Sequence, residues 1–187
     1  MIPSLNTLIL MKNILILLRR HQYIKNLFIF TPLFFAAGIM DGKLFINALI
    51  AFFAFSMSAS AIYILNDYRD IEEDKKHPTK KHRPLASGAV DKTVALFIMS
   101  CLMVVGLLIM ALLSIQSFFF LLGYIFLNIA YSFGLKHISI LDIVCISAGF
   151  VIRLFIGSTT TTTPLSMWII LITFLLALFF GIGKTKG

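Results

Sequence analysis

The sequence predicts an all-α fold, a polytopic transmembrane helical bundle, and three observations carry that expectation. The chain of 187 residues is 59% hydrophobic, has a mean hydropathy of +0.98 and is only 13% charged. Its apolar residues gather into runs, and a bilayer asks for about 20 such residues per helix. Its charges are confined, with six of eight acidic and seven of sixteen basic residues lying between Asp67 and Lys92. A formal net charge of +8 would suggest nucleic acid in a soluble protein. In a membrane protein the positive-inside bias explains it, and no nucleic-acid partner is expected. Cys101 and Cys145 each sit inside an apolar run, so neither a disulfide framework nor a metal-ligand cluster is indicated.

Taken in order, residues 1–20 resemble a signal peptide in hydropathy, but Asn6, Lys12 and Asn13 interrupt the run and no cleavage site comes after it. The segment reads as an amphipathic stretch on the cytoplasmic face, with Arg19, Arg20 and Lys25 near anionic headgroups. Met11-Lys12 is a second plausible start. The first span is expected over 24–40, bent at Pro32. The second, over 44–65, carries Ala54, Ser56, Ser58, Ala59, Ser60 and Ala61, small residues that let helices approach closely. Later spans are expected over 93–113, 118–133, 140–156 and 165–182. A tight turn is read at 114–117, and a threonine-rich turn at 157–164. That makes six spans, in one transmembrane domain covering 1–187. With the N-terminus inside, the cytoplasmic segments hold the 66–92 loop, Lys136, Lys184 and Lys186, against Lys43 alone in the outer turns. The expected location is the cytoplasmic (inner) membrane, multi-pass, with the bilayer itself as a partner.

The 66–92 loop is where chemistry is expected. Asn66, Asp70 and Asp74 are spaced i, i+4, i+8, which puts them on one face of a helix continuing the second span. Asp67 and Asp74, seven apart, point to nearly the same side. Carboxylates so placed repel one another unless a cation sits between them. Oxygen ligands with phosphate suit Mg²⁺, which would neutralise a leaving diphosphate. Lys80, Lys81 and Arg83 come next, and arginine suits bidentate phosphate binding. The bland alternative is a solvated loop that only anchors its helices. Acidic residues add little to topology, however, so their concentration asks for another reason.

The run Asn66-Asp67-x-x-Asp70-x-x-x-Asp74-x-x-His77-Pro78, with Lys80, Arg83 and Pro84, resembles the first aspartate-rich motif of the UbiA-type membrane prenyltransferase superfamily. Tyr131, Ser132, Leu135 and Lys136 resemble that family's loop after the fourth span, and Asp142, Gly149 and Arg153 fit the stretch beyond that loop. Residues 20–26, RHQYIKN, are similar to the opening of the branch that includes decaprenyl-phosphate phosphoribosyltransferase. The resemblance implies transfer of 5-phosphoribose from phosphoribosyl diphosphate to a polyprenyl phosphate. The alternative it carries is prenyl transfer from a polyprenyl diphosphate to an aromatic acceptor such as 4-hydroxybenzoate. It also implies that Asn66, Asp70 and Asp74 are catalytic and, with Asp67, hold Mg²⁺. Lys80, Arg83, Lys25, Tyr131 and Lys136 would bind substrate phosphate. The superfamily bundle has about nine spans, each of bilayer length, and a second acidic motif after the sixth. This sequence has six and ends in GKTKG, so it is read as C-terminally truncated or frameshifted, and a catalytically inactive membrane protein is a further alternative.

Arg153 lies in the fifth apolar run, where a charge is costly, so it either snorkels outward or faces the bundle interior. Asp142 is about 16 Å away along a helix rising ~1.5 Å per residue, too far to pair with it directly. Asp142 reads as a helix cap or as part of the site's mouth. His77 reads as structural. His21, His82 and His137 lack zinc-site spacing.

Overall fold

The computed structural model describes residues 5–133 and 139–185, and every element in it is helical. Helix α1 spans Leu5–Leu17 and is followed by a long 3₁₀ segment, Arg20–Phe30. The short α2 (Thr31–Phe35) and a 3₁₀ turn at Gly38–Met40 lead into the 28-residue α3, Gly42–Arg69. Then come α4 (Ile71–Lys76), α5 (Lys92–Leu113), α6 (Ile115–Phe133), α7 (Ser139–Thr161) and α8 (Met167–Thr185).

Among the described residues four helices, not six, are long and apolar enough to cross a membrane: Gly42–Arg69, Lys92–Leu113, Ile115–Phe133 and Leu141–Thr161. The expected first span fails because 24–40 is not one helix. Pro32 lacks an N–H and stands at the start of α2, where that loss costs nothing, so a new helix begins there. Ala37 then takes a left-handed φ of 53° and closes it. The expected sixth span is not among the four: within the described residues its apolar stretch is Met167–Phe179, shorter than the roughly 20 residues of a full span.

Other boundaries move for local reasons. Helix α6 begins at Ile115 because the Ser114 hydroxyl accepts from the Ser117 N–H, making a cap of an expected four-residue turn. Helix α7 runs through the expected threonine turn to Thr161. The hydroxyls of Thr159, Thr160 and Thr161 donate to the carbonyls of Phe155, Ile156 and Gly157, so these β-branched residues satisfy backbone rather than break it. Thr162, at φ 52°, ends the helix. Asp41 caps α3 and Asp91 caps α5. The backbone N–H of Thr93 holds the Asp91 carboxyl below the usual carboxylate range.

Helix α3 is the axis of the bundle: 61% of its span window is buried, against 11% for α5. Its small residues carry that role. A side chain at Gly106 of α5 would collide with Ser58 Oγ and lie 2.7 Å from the Ala54 carbonyl, so the two helices meet almost backbone to backbone. Ile29, Phe55, Ile62, Met110, Leu121 and Ile156 fill the core around this contact. Phe97, Val104, Leu108 and Leu112 on α5, and Phe119 and Phe126 on α6, face outward as a bilayer-facing surface would. The exposed apolar residues of α1 (Ile9, Leu10, Met11, Leu15 and Ile16) surround the helix, so the expected one-sided amphipathic face is not there.

Candidate active site

The charged loop folds against the end of α3 through one arginine. Arg83 Nη1 donates to Asp74 Oδ2 at 2.7 Å and to Asp67 Oδ1 at 3.1 Å. Arg19 also donates to Asp67 Oδ1. The side chains of Asp67 and Asp74 are only 4% and 3% exposed. A cation between two carboxylates seven residues apart is what their mutual repulsion requires, and Arg83 supplies it. Arg19 reaches Asp67 from the junction of α1 with the 3₁₀ segment, where its own φ is 49°. Such a left-handed residue costs of order 1 kcal/mol, and the ion pair offsets it. Helix α3 stops at Arg69 and α4 starts at Ile71, with Asp70 between them at φ −89°, ψ 9°. Asn66 therefore lies on α3, Asp70 at the junction and Asp74 on α4, and the Asp70 and Asp74 N–H groups still donate to the carbonyls of Asn66 and Asp70 across it.

Two adjoining cavities lie at this end of the bundle. The outer one, about 230 Å³, is lined by Arg19, Asn66, Asp67, Arg69, Asp70, Lys80, Arg83, Tyr131 and Ser132. The inner one, about 280 Å³, shares Arg19, Asn66 and Tyr131, and adds Lys25, Tyr63, Tyr124, Leu127, Asn128, Ile146, Phe150 and Arg153 among others. Ser132 donates to Asn66 Oδ1 at 2.5 Å, tying the end of α6 to the end of α3 where the cavities meet. Tyr131 donates to Asp142 at 2.8 Å, so Asp142 serves the site's wall. His77 Nδ1 accepts from the backbone N–H groups of Thr79 and Lys80 and so shapes the turn that presents Lys80.

Arg153 is 4% exposed and does not snorkel outward. It bends back toward the N-terminus of α7, as helical side chains do, and donates from Nη1 to the Gly149 carbonyl at 2.7 Å. Nε donates to Asn26 Oδ1 at 2.9 Å and Nη2 to the Tyr124 hydroxyl at 3.4 Å. The guanidinium lies 4.7, 5.1 and 5.4 Å from the ring centres of Phe55, Tyr124 and Phe150. Each such contact is worth about 0.5–2 kcal/mol, which partly compensates a buried cation. Asn26 is itself placed by donating to Ser56 Oγ at 2.8 Å. Glycine at 157 makes that approach possible, because a Cβ there would overlap the Ile29 carbonyl.

The profile of the UbiA prenyltransferase family matches residues 26–185. The chain belongs to this family. It is 37% identical over 170 residues to the decaprenyl-phosphate phosphoribosyltransferase of Mycolicibacterium smegmatis, covering 89% of this chain and 54% of that protein. It is 37% identical over 177 residues to the enzyme of the same name from Corynebacterium glutamicum, covering 89% and 52%. The chain spans about half the length of the curated relatives it matches. Its fold superposes on a UbiA homolog from Archaeoglobus fulgidus, solved with DMAPP and Mg²⁺, at a TM-score of 0.77 and 20% identity. That match covers 91% of this chain and 62% of the other.

In this UbiA-family chain the expected site residues divide by environment. Asn66, Asp67, Asp70, Lys80, Arg83 and Tyr131 line the outer cavity, while Asp74 is committed to Arg83 and does not. Lys25 lines the inner cavity. Lys136 falls outside the described residues. Sequence reasoning misses Arg19 and Arg69 as cavity residues, since it assigns Arg19 to headgroups and Arg69 only to the loop. Arg69 lies 3.9 Å above the Phe133 ring, a contact that needs the end of α6 in three dimensions. Asn26 is visible only as part of RHQYIKN, with nothing to mark it as the partner of a residue 127 positions away.

Among the described residues no three His, Cys, Asp or Glu side chains converge as a ready metal cage. Asn66 and Asp70 nevertheless place two oxygen-bearing side chains on one cavity that also holds Lys80 and Arg83. That donor set fits a Mg²⁺ ion taking most of its ligands from a bound phosphate, the usual arrangement for this ion.

Proposed function

We propose that the chain carries the diphosphate-handling half of a UbiA-family transferase that moves 5-phosphoribose from phosphoribosyl diphosphate to a polyprenyl phosphate. The observation that carries this is the outer cavity, where an amide and a carboxylate, Asn66 and Asp70, share the lining with Lys80 and Arg83 and adjoin a second cavity whose mixed lining includes Leu127, Ile146 and Phe150. The names of the relatives at 37% identity support the choice of substrates.

In the proposed reaction the bond between C1 of the ribose and the diphosphate oxygen breaks, and its electron pair leaves with diphosphate. An ionised oxygen of the lipid phosphate forms the new bond to C1, so no general base is required. Lys80 and Arg83 bind the diphosphate oxygens, and Arg69 and Arg19 add positive potential around them. Asn66 and Asp70 would hold Mg²⁺, whose chemistry is neutralisation of the leaving diphosphate. Asp67 and Asp74 orient Arg83. Tyr131, held by Asp142, closes the wall between the cavities, with Lys25 at the inner one. Residues 66–92 form the active-site loop on the cytoplasmic side of the inner membrane, and Arg19 meets it there through its bond to Asp67.

The test is transfer of label in membranes holding the chain. Labelled phosphoribosyl diphosphate with decaprenyl phosphate and Mg²⁺ is one arm, and a polyprenyl diphosphate with 4-hydroxybenzoate is the other. Product in the first arm alone, lost in Asp70→Asn, is the expected result. Product in the second alone replaces the substrate assignment, and product in neither makes the chain inactive by itself.

A further inference from the structure

We propose that Arg153 binds the phosphate monoester of the lipid acceptor inside the inner cavity, so that the two cavities divide the two phosphorylated substrates between them. The inference rests on the transferase reading above and adds to it the residue that selects the acceptor.

The guanidinium carries five N–H donors, and three of them are used on the neutral acceptors Asn26, Gly149 and Tyr124. No carboxylate pairs with it among the described residues, and no acidic residue lines the inner cavity. Ring faces compensate a buried cation only in part, because a quadrupole is not a counter-charge. The site is therefore electropositive, and its natural complement is an anion with oxygens placed for a planar fork of donors. Phosphate has that geometry. A purely structural buried cation would be expected to carry a carboxylate partner, and Arg153, 4% exposed, has none among the described residues.

The walls decide between the two substrates. Leu127, Ile146 and Phe150 line the inner cavity, so its ligand carries apolar matter beside its charge. The outer cavity, with Asn66, Asp70, Lys80 and Arg83, has no aliphatic or phenylalanine side chain among its described lining residues and suits the sugar diphosphate. Arg153 also points the right way. Its bond to Gly149 turns the guanidinium toward the end of α7 where Asp142 holds Tyr131, a residue shared by both cavities, so an acceptor phosphate there can face the ribose. The bond to Asn26, itself fixed by Ser56, locks that direction.

Ligand-dependent thermal stabilisation of the detergent-purified chain tests this, with farnesyl phosphate titrated alone and phosphoribosyl diphosphate titrated with Mg²⁺. The expected result is that Arg153→Gln raises the half-saturating farnesyl phosphate by about tenfold or more, the loss of a charge-assisted hydrogen bond. Its response to phosphoribosyl diphosphate should stay unchanged, and Arg153→Lys should fall between the two. If Arg153→Gln does not fold, Arg153→Lys carries the comparison, and an unaltered farnesyl phosphate response in it overturns the proposal. An equal loss of both responses, or a loss confined to phosphoribosyl diphosphate, also overturns it. Farnesyl phosphate binding through Arg153 with no response to phosphoribosyl diphosphate sinks the transfer reading and leaves this one standing. A wild-type chain that answers to neither ligand removes both.

Discussion

Arg83 donates to Asp74 at 2.7 Å, and this bond pins the loop after α4 to a carboxylate almost closed to solvent. The same nitrogen reaches Asp67, so one cation serves two buried anions. Removing it takes that partner from Asp74 and leaves Asp67 with Arg19 alone. Arg83→Gln is therefore expected to destabilise the protein by about 2–4 kcal/mol, somewhat below a fully buried pair because Arg83 keeps some exposure. Adding Asp74→Asn should restore part of that loss, since the second change removes the orphaned charge. Thermal unfolding in detergent measures both, and an Arg83→Gln melting point equal to wild type would refute the assignment.

Asp70 and Asp74 share a motif but not an environment, and this separates stability from turnover. Asp74→Asn loses its ion pair and should lower the melting temperature. Asp70→Asn alters a half-buried group on the cavity wall and should cut transfer by about tenfold or more, with a smaller drop in melting than Asp74→Asn, where the residue is 2% exposed. The comparison is one activity assay and one melting curve per variant. Two variants that lose stability equally would show that Asp70 is structural too.

Much of this is legible in the chain itself. The confinement of charge to 66–92 locates the outer cavity, and the small residues of 54–61 anticipate the close packing of α3. The spacing of Asp67 and Asp74 demands a cation between them, but nothing local says that an arginine sixteen residues beyond Asp67 is that cation. The span count goes astray for a physical reason. Hydropathy reports that 24–40 is apolar, whereas its helical continuity is decided by Pro32 and by a left-handed turn at Ala37. Thr159 to Thr161 mislead in the opposite direction. Their hydroxyls bond the preceding turn, so a composition typical of a loop extends a helix. Arg153 and Asn26 are legible singly, and their pairing depends on packing between distant segments.

Gly157 is the residue on which that packing turns. A methyl group there would run into the Ile29 backbone carbonyl, and backbone cannot swing aside as a side chain can. Gly157→Ala is expected to push the 3₁₀ segment off α7, costing about 1–3 kcal/mol and moving Asn26 away from Arg153. Melting falls, and a thiol introduced as Asn26→Cys in a Cys101→Ser, Cys145→Ala background becomes more reactive to a maleimide. Unchanged melting and reactivity would mean that the two backbones do not touch.

Four long helices with the N-terminal segment broken place firm demands on topology. Helix α3 carries the 66–92 loop at one end and Asp41 at the other, so residues on these two sides should face opposite compartments. The Lys and Arg residues between Arg69 and Lys92 are the reason to expect that end inside. In the same cysteine-free background, Glu73→Cys should react with a membrane-impermeant maleimide only in inverted vesicles. Lys43→Cys should react only in right-side-out ones. Labelling of both positions from one side would mean that α3 does not cross the bilayer, and with it the two-cavity site would lose its place at the cytoplasmic surface.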